Sequence, residues 1–118
     1  MNIYLAGPMR GIKNFNFPEF HRAAHALRQH GHEVFSPAER DELAYGAEAI
    51  ATSGNEKDFA DGIGMSVMDL RREVFKADAE WICTFADAIA LLPGWQNSKG
   101  ALAEKALGEA LGLEIIYL

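Results

Sequence analysis

The apolar and polar positions of the chain follow two rhythms, and the switches between them mark out its elements. Asn2 to Ala6 contains the unbroken apolar run Ile3-Tyr4-Leu5-Ala6, and Gly7-Pro8 stops it, which is the pattern of a short buried strand. A polar turn, Met9-Arg10-Gly11-Ile12-Lys13-Asn14, comes next. Asn16 stands where a helix cap is needed, Pro18 suits a first turn, and Phe17, Phe20, Ala24 and Leu27 recur at helical spacing until Gly31. Glu33 to Phe35 reads as a second strand, stopped by Ser36-Pro37. Residues 38–64 carry the weakest rhythm. Glu39 to Ile50 suits a helix there, and Thr52-Ser53-Gly54-Asn55 and Asp61-Gly62-Ile63-Gly64 read as mobile loop.

From Ser66 the rhythm is clear again. Val67, Leu70, Val74, Ala77 and Trp81 alternate steps of three and four and predict one apolar stripe on a long helix. Asp87 to Leu92 reads as a third buried strand, broken by Pro93-Gly94. The loop Trp95-Gln96-Asn97-Ser98-Lys99-Gly100 leads into a helix from about Ala101 to Leu111. Gly112 ends that helix, and Glu114 to Leu118 is the last strand.

Strands alternating with helices predict an α/β fold, a three-layer flavodoxin-like (Rossmann-like) sandwich with a mostly parallel sheet of four or five strands. Right-handed crossovers and the order 2-1-3-4 set the first and third strands side by side at a switch point, where ligands bind beyond the strands' carboxyl ends. Those ends are Gly7-Pro8 and Pro93-Gly94, so position alone nominates the two loops that follow them.

Composition narrows the picture. The 118 residues are 49% apolar and 24% charged, which fits a single domain, 1–118, and argues against disorder. A lone cysteine, Cys83, excludes a disulfide framework, and no segment approaches the ~20 apolar residues of a membrane span. With no signal-peptide pattern at the start, the expected location is the cytoplasm, with no membrane partner. The net charge of −6 is unevenly spread: residues 1–37 sum to +2 and the other 81 to −8. That balance argues against a nucleic-acid polymer as partner, but a small anion held by a few local cations fits the basic first third.

The first loop offers the backbone of Gly7, Pro8, Met9 and Gly11 with Arg10 and Lys13 beside it, an arrangement that suits an anion and equally suits a plain strand-to-helix turn. In the second, Ser98-Lys99-Gly100-Ala101-Leu102-Ala103-Glu104 places an acid about one turn into a helix. The helix dipole there favours an ionised carboxylate, either as simple complement to the dipole or as a nucleophile for a sugar carbon. Asp78, flanked by Val74 and Trp81 at the edge of the apolar stripe, suits a proton donor of raised pKa or an ordinary solvated helix acid. His21 and His25 are one turn apart, but Arg22 stands where a metalloprotease helix has Glu, so no metal is expected and the pair reads as a solvated face. Cys83 is expected to be a small core side chain.

Three blocks taken together, Ile3-Tyr4-Leu5-Ala6-Gly7-Pro8-Met9-Arg10-Gly11, Asp78-Ala79-Glu80-Trp81 and Ser98-Lys99-Gly100-Ala101-Leu102-Ala103-Glu104, resemble the superfamily of nucleoside 2-deoxyribosyltransferases and deoxynucleoside monophosphate N-glycosidases. Asn14-Phe15-Asn16-Phe17-Pro18, Leu92-Pro93-Gly94-Trp95 and Asn97-Ser98-Lys99-Gly100 resemble its phage and bacterial members more closely. The resemblance implies a flavodoxin-like domain that forms a homodimer or larger homo-oligomer and needs no cofactor. It implies Glu104 as nucleophile on C1′ of deoxyribose, with Asp78 positioning the sugar or protonating the base. Arg10-Gly11 and Ser98 would serve a 5′-phosphate. Ala101 departs from the Thr common in relatives, and the interval from Asp78 to the third strand is one residue longer than in the glycosidase branch.

The expected function is cleavage of the N-glycosidic bond of a deoxynucleoside 5′-monophosphate, or of a nucleoside. The alternatives are deoxyribosyl transfer between bases and a non-catalytic nucleotide sensor of the same fold. Besides Glu104 and Asp78, the expected ligand contacts are Gly7, Pro8, Met9, Arg10, Gly11, Gly94, Trp95, Ser98 and Gly100, with Trp95 as a lid or base-stacking side chain and no metal or organic cofactor.

Overall fold

A computed structural model describes residues 1–118. Four strands, β1 (Asn2–Ala6), β2 (Glu33–Phe35), β3 (Ala88–Leu91) and β4 (Glu114–Tyr117), form one all-parallel sheet in the order β2-β1-β3-β4, the order and layering of a flavodoxin-like sandwich. The register sets Tyr4 beside Ile89 and Ala6 beside Leu91, so β1 and β3 end level. Five helices surround the sheet: α1 (Phe17–Gln29), α2 (Pro37–Tyr45), α3 (Glu56–Gly62), α4 (Val67–Phe85) and α5 (Lys99–Leu111).

Successive strand side chains point to opposite faces, and the two central strands are apolar on both. Ile3, Leu5, Ala88 and Ala90 face a core completed by Phe20 and Ala24 of α1, Ala38 of α2, Phe59 of α3 and Leu70 of α4. Tyr4, Ala6, Ile89 and Leu91 face the other, completed by Ile82 of α4 and Ala101 of α5. α5 lies against β3 through Gly108, where a Cβ would come within 2.5 Å of Ile89 Cγ1.

Several local expectations are corrected. Asn16 does stand at the start of α1, but its φ is +62° and its Nδ2 donates to the Pro8 carbonyl at 3.0 Å, so it ties down the first loop instead of capping the helix. The segment 61–64 is not loop throughout: Asn55 Oδ1 accepts from the amides of Lys57 and Asp58, and this cap starts α3, which takes in Asp61 and Gly62. On α4 the deeply buried positions are Leu70, Asp78 and Ile82, so the inward stripe leans away from Ala77 and Trp81. Cys83 is exposed, not in the core, because it follows the inward Ile82 and one residue turns a helical side chain by ~100°.

Candidate functional site

Beyond the carboxyl ends of β1 and β3 lies a cavity of about 380 Å³, the size range of small-molecule sites. The first loop, from Gly7 to Arg10, forms one wall, and the start of α5, from Ser98 to Ala101, forms another. Ser98 caps α5 by accepting from the Ala101 amide at 3.1 Å, which leaves its hydroxyl proton free for a ligand. Gly7 is required because a Cβ there would sit 2.8 Å from Leu92 Cβ, where the two strand ends cross into their loops.

Four buried polar side chains face this cavity: Glu104 from α5, Asp78 from α4, Asp41 from α2 and Tyr4 from β1. The Tyr4 hydroxyl donates to Glu104 Oε2. Burial pushes the Glu104 carboxyl up to about 8, and the Asp78 charge adds to the rise, while the Tyr4 hydrogen bond opposes it. Burial likewise raises Asp78 to about 6, against the pull of Tyr4 and Arg40, and Asp78 Oδ1 has no hydrogen-bond partner. Asp41 rises to about 7 by burial and the nearby Asp78 charge, with Arg40 opposing. Burial thus favours the protonated form of all three acids, and the charge on one raises its neighbours, so the cluster resists full ionisation in the ordinary carboxylate range.

The helix dipole does not set this state, contrary to the expectation from sequence. α5 begins at Lys99, two residues earlier than expected, so its first turn has no acid and Glu104 falls in the second. The dipole's influence fades within the first turn, and burial dominates. Tyr4→Phe removes the one donor to Glu104 and is expected to move its titration above about 8, read by carbon-detected NMR of the side-chain carboxyls.

Among the other residues expected at the site, Gly7, Pro8, Met9, Arg10, Ser98 and Gly100 line the cavity. Gly11 does not, since its amide donates to the Gly54 carbonyl at 2.8 Å and is unavailable to an anion. Gly94 packs behind Pro8, and Trp95 lies against Tyr117 with ring centroids 5.7 Å apart and Lys105 Nζ above its ring. Neither borders the cavity, so Trp95 is no lid over it in this structure. Lys13 is exposed and also lies outside. His21 bonds Glu42 at 2.5 Å on the surface, and no group of three or more His, Cys, Asp or Glu is arranged to hold a metal ion.

Of the cavity residues outside the expected site, Tyr4, Asp41, Glu56 and Arg71 bear most on its chemistry. Tyr4 carried a usable signal, because a phenol inside a strand buried on both faces must find a partner for its hydroxyl. Asp41 sits on a helix without a clean apolar stripe, and Glu56 and Arg71 meet only through the fold.

Fold and site together define a parallel α/β domain with an acid-lined cavity at its switch point. A family model described as "Domain of unknown function (DUF4406)" matches residues 1–68 and 72–117, and the chain belongs to that family. No curated protein and no solved structure matches. No helix is long and apolar enough to cross a membrane.

Proposed function

We propose that this protein cleaves the N-glycosidic bond of a deoxynucleoside 5′-monophosphate. The observation that carries the proposal is that the buried carboxyls of Glu104 and Asp78, from different helices, open into one cavity and are both raised by burial, so that one can be an acid while the other is a carboxylate. The resemblance of the first loop, the Asp78 step and the Ser98–Glu104 segment to deoxyribosyltransferases and nucleotide N-glycosidases points to the same reaction.

The reaction needs one carboxylate and one carboxylic acid. In the reactive arrangement the proton sits on Asp78, and the Tyr4 hydroxyl supports the charge on Glu104. A Glu104 oxygen bonds to C1′ as the C1′–N bond breaks, and the base nitrogen keeps the electron pair and takes the Asp78 proton. Asp78, now ionised, accepts a proton from water as the water oxygen attacks C1′. That step releases the sugar phosphate and restores Glu104. No cofactor enters this chemistry. Transfer to a second base would differ only in the group that resolves the ester. A homodimer or larger assembly belongs to the same reading, and light scattering after size exclusion checks it.

One observation favours a second reading, a nucleotide sensor without turnover: burial raises the carboxyl of the intended nucleophile, which works against the ionised form that attack on C1′ needs. Incubation with the four common deoxynucleosides and their 5′-monophosphates, with free base followed by chromatography, separates the two. The expected result is base release from at least one monophosphate, lost in Glu104→Ala. Tight binding without release supports the sensor, and release that survives Glu104→Ala rules out the mechanism.

A further inference from the structure

The Glu56 carboxylate is held by two guanidiniums at the edge of the cavity. Arg71 of α4 grips both oxygens, with Nε 3.0 Å from each and Nη2 2.7 Å from Oε1. Arg10 of the first loop approaches Oε2 through Nε at 3.4 Å. The Glu56 side chain is the shielded member, 17% exposed against 43% for Arg71 and 44% for Arg10. A guanidinium fork accepts a phosphate in the same two-pronged way as a carboxylate. One carboxylate between two guanidiniums also leaves a positive charge unbalanced, in a chain whose net charge is −6.

The position of this cluster matches one end of an elongated ligand. Arg71 and Asp78 are seven residues apart on α4, which is two turns, so they share a helix face with about 10.5 Å between them along the axis. Arg10, Glu56, Arg71, Asp78 and Glu104 border one continuous cavity. A ligand with its phosphate at Arg71 and its reacting carbon at the two acids would lie along α4, past Phe75 and the first turn of α5.

The geometry points to Arg71 as a further member of the phosphate subsite that the resemblance assigns to Arg10, with Glu56 as the anion that fills it until a phosphomonoester arrives. Binding exchanges the Glu56 carboxylate for the phosphate. The displaced side chain stays at the first residue of α3, where a negative charge suits the helix start. The inference rests on the proposed function for the sugar and base of the ligand, but not on turnover. The alternative, that Arg71 and Glu56 only staple α4 to α3, predicts the opposite sign for one substitution.

The test is calorimetric titration of the native chain, Glu56→Gln and Arg71→Gln with 2′-deoxynucleoside 5′-monophosphates, the matching nucleosides and inorganic phosphate. Removing the competing anion is expected to tighten monophosphate and phosphate binding about tenfold and to leave nucleosides unchanged; Arg71→Gln is expected to weaken monophosphates about tenfold, again sparing nucleosides. Glu56→Asp, which keeps the charge and shortens its reach, should tighten binding in the same direction by less, and it replaces the Gln variant if thermal melting shows that one unfolded. Unchanged or weaker monophosphate binding in both Glu56 variants overturns the inference. So does an equal loss of nucleosides and monophosphates in Arg71→Gln, a gain for inorganic phosphate alone, or no binding of any phosphate-bearing probe. Phosphate-dependent binding of the expected pattern without base release upholds this subsite and removes the glycosidase reading. Base release indifferent to both substitutions does the reverse.

Discussion

Glu104→Gln is expected to lose base release by at least about a thousandfold and to melt at a higher temperature than the native protein at pH 8. The two effects share one cause. The Glu104 carboxyl titrates at about 8 in the fold against 4.5 in an unfolded chain, so between these values the folded state binds more protons than the unfolded one. Stability then falls as pH rises through that window, and the contribution present below about 4.5 is gone above about 8. Asp78, at about 6, and Asp41, at about 7, slope the same way. Glutamine has no proton to lose, keeps the side chain's length, and its carbonyl can accept the Tyr4 hydrogen bond. The gain at pH 8 is on the order of a few kcal/mol, or roughly 10 °C in Tm for a chain of this size. Near pH 5 the difference should almost vanish. Melting curves across pH 5–8 check this, and a stability difference that ignores pH would show that burial does not load Glu104.

Gly54→Ala is expected to be the most disruptive of the glycine-to-alanine substitutions. Gly54 has φ +71°, and an added Cβ would lie 1.9 Å from the Ile12 carbonyl oxygen, a backbone atom with no rotamer to change. The segment must withdraw from the first loop, breaking the Gly11 N–H bond to Gly54 O, at an expected cost of roughly 3–5 kcal/mol. Gly64→Ala is the matched control, since φ there is +72° and the Cβ would meet open space. It should cost only the ~1–2 kcal/mol of the left-handed conformation. Denaturant unfolding of both variants measures the gap, and equal losses would show that contact with the first loop plays no part. Gly54→Ala should also weaken monophosphate binding, because the displaced loop carries Arg10.

Strand order and the meeting of the two loops were accessible from sequence, because Ile3–Ala6 and Ala88–Leu91 are too apolar to be anything but central strands. Once these two are neighbours, the loops after them must meet. Asp78, on α4 and in neither loop, was tied to Glu104 only by the resemblance. The segment 38–64 defeated the same logic. α2 turns Asp41 inward and leaves Leu43 88% exposed, so its polarity runs against its burial. α3 is seven residues long and is held by its cap and by Phe59 rather than by a stripe. Two residues at the start of α5 changed the electrostatics most, because they moved Glu104 out of reach of the helix terminus. Trp95 drew attention as an aromatic next to a nominated loop, yet Tyr117 of the last strand claims its ring.

The first loop, on to Phe15, is joined to the segment leading into α3 by two backbone hydrogen bonds, from Gly11 N–H to Gly54 O at 2.8 Å and from Asn14 N–H to Thr52 O at 2.9 Å, and to α3 itself by the contact of Phe15 with Phe59. Asn14, Phe15 and Asn16 all adopt positive φ, a costly run for residues with side chains. Such a run persists only while the surroundings hold it, so neither partner can loosen alone. In deuterated solvent the amides of Gly11 and Asn14 should therefore lose protection together, in a single opening event separate from the slow exchange of β1 and β3. A phosphorylated ligand that reaches Arg10 would slow both at once, even though it touches neither amide.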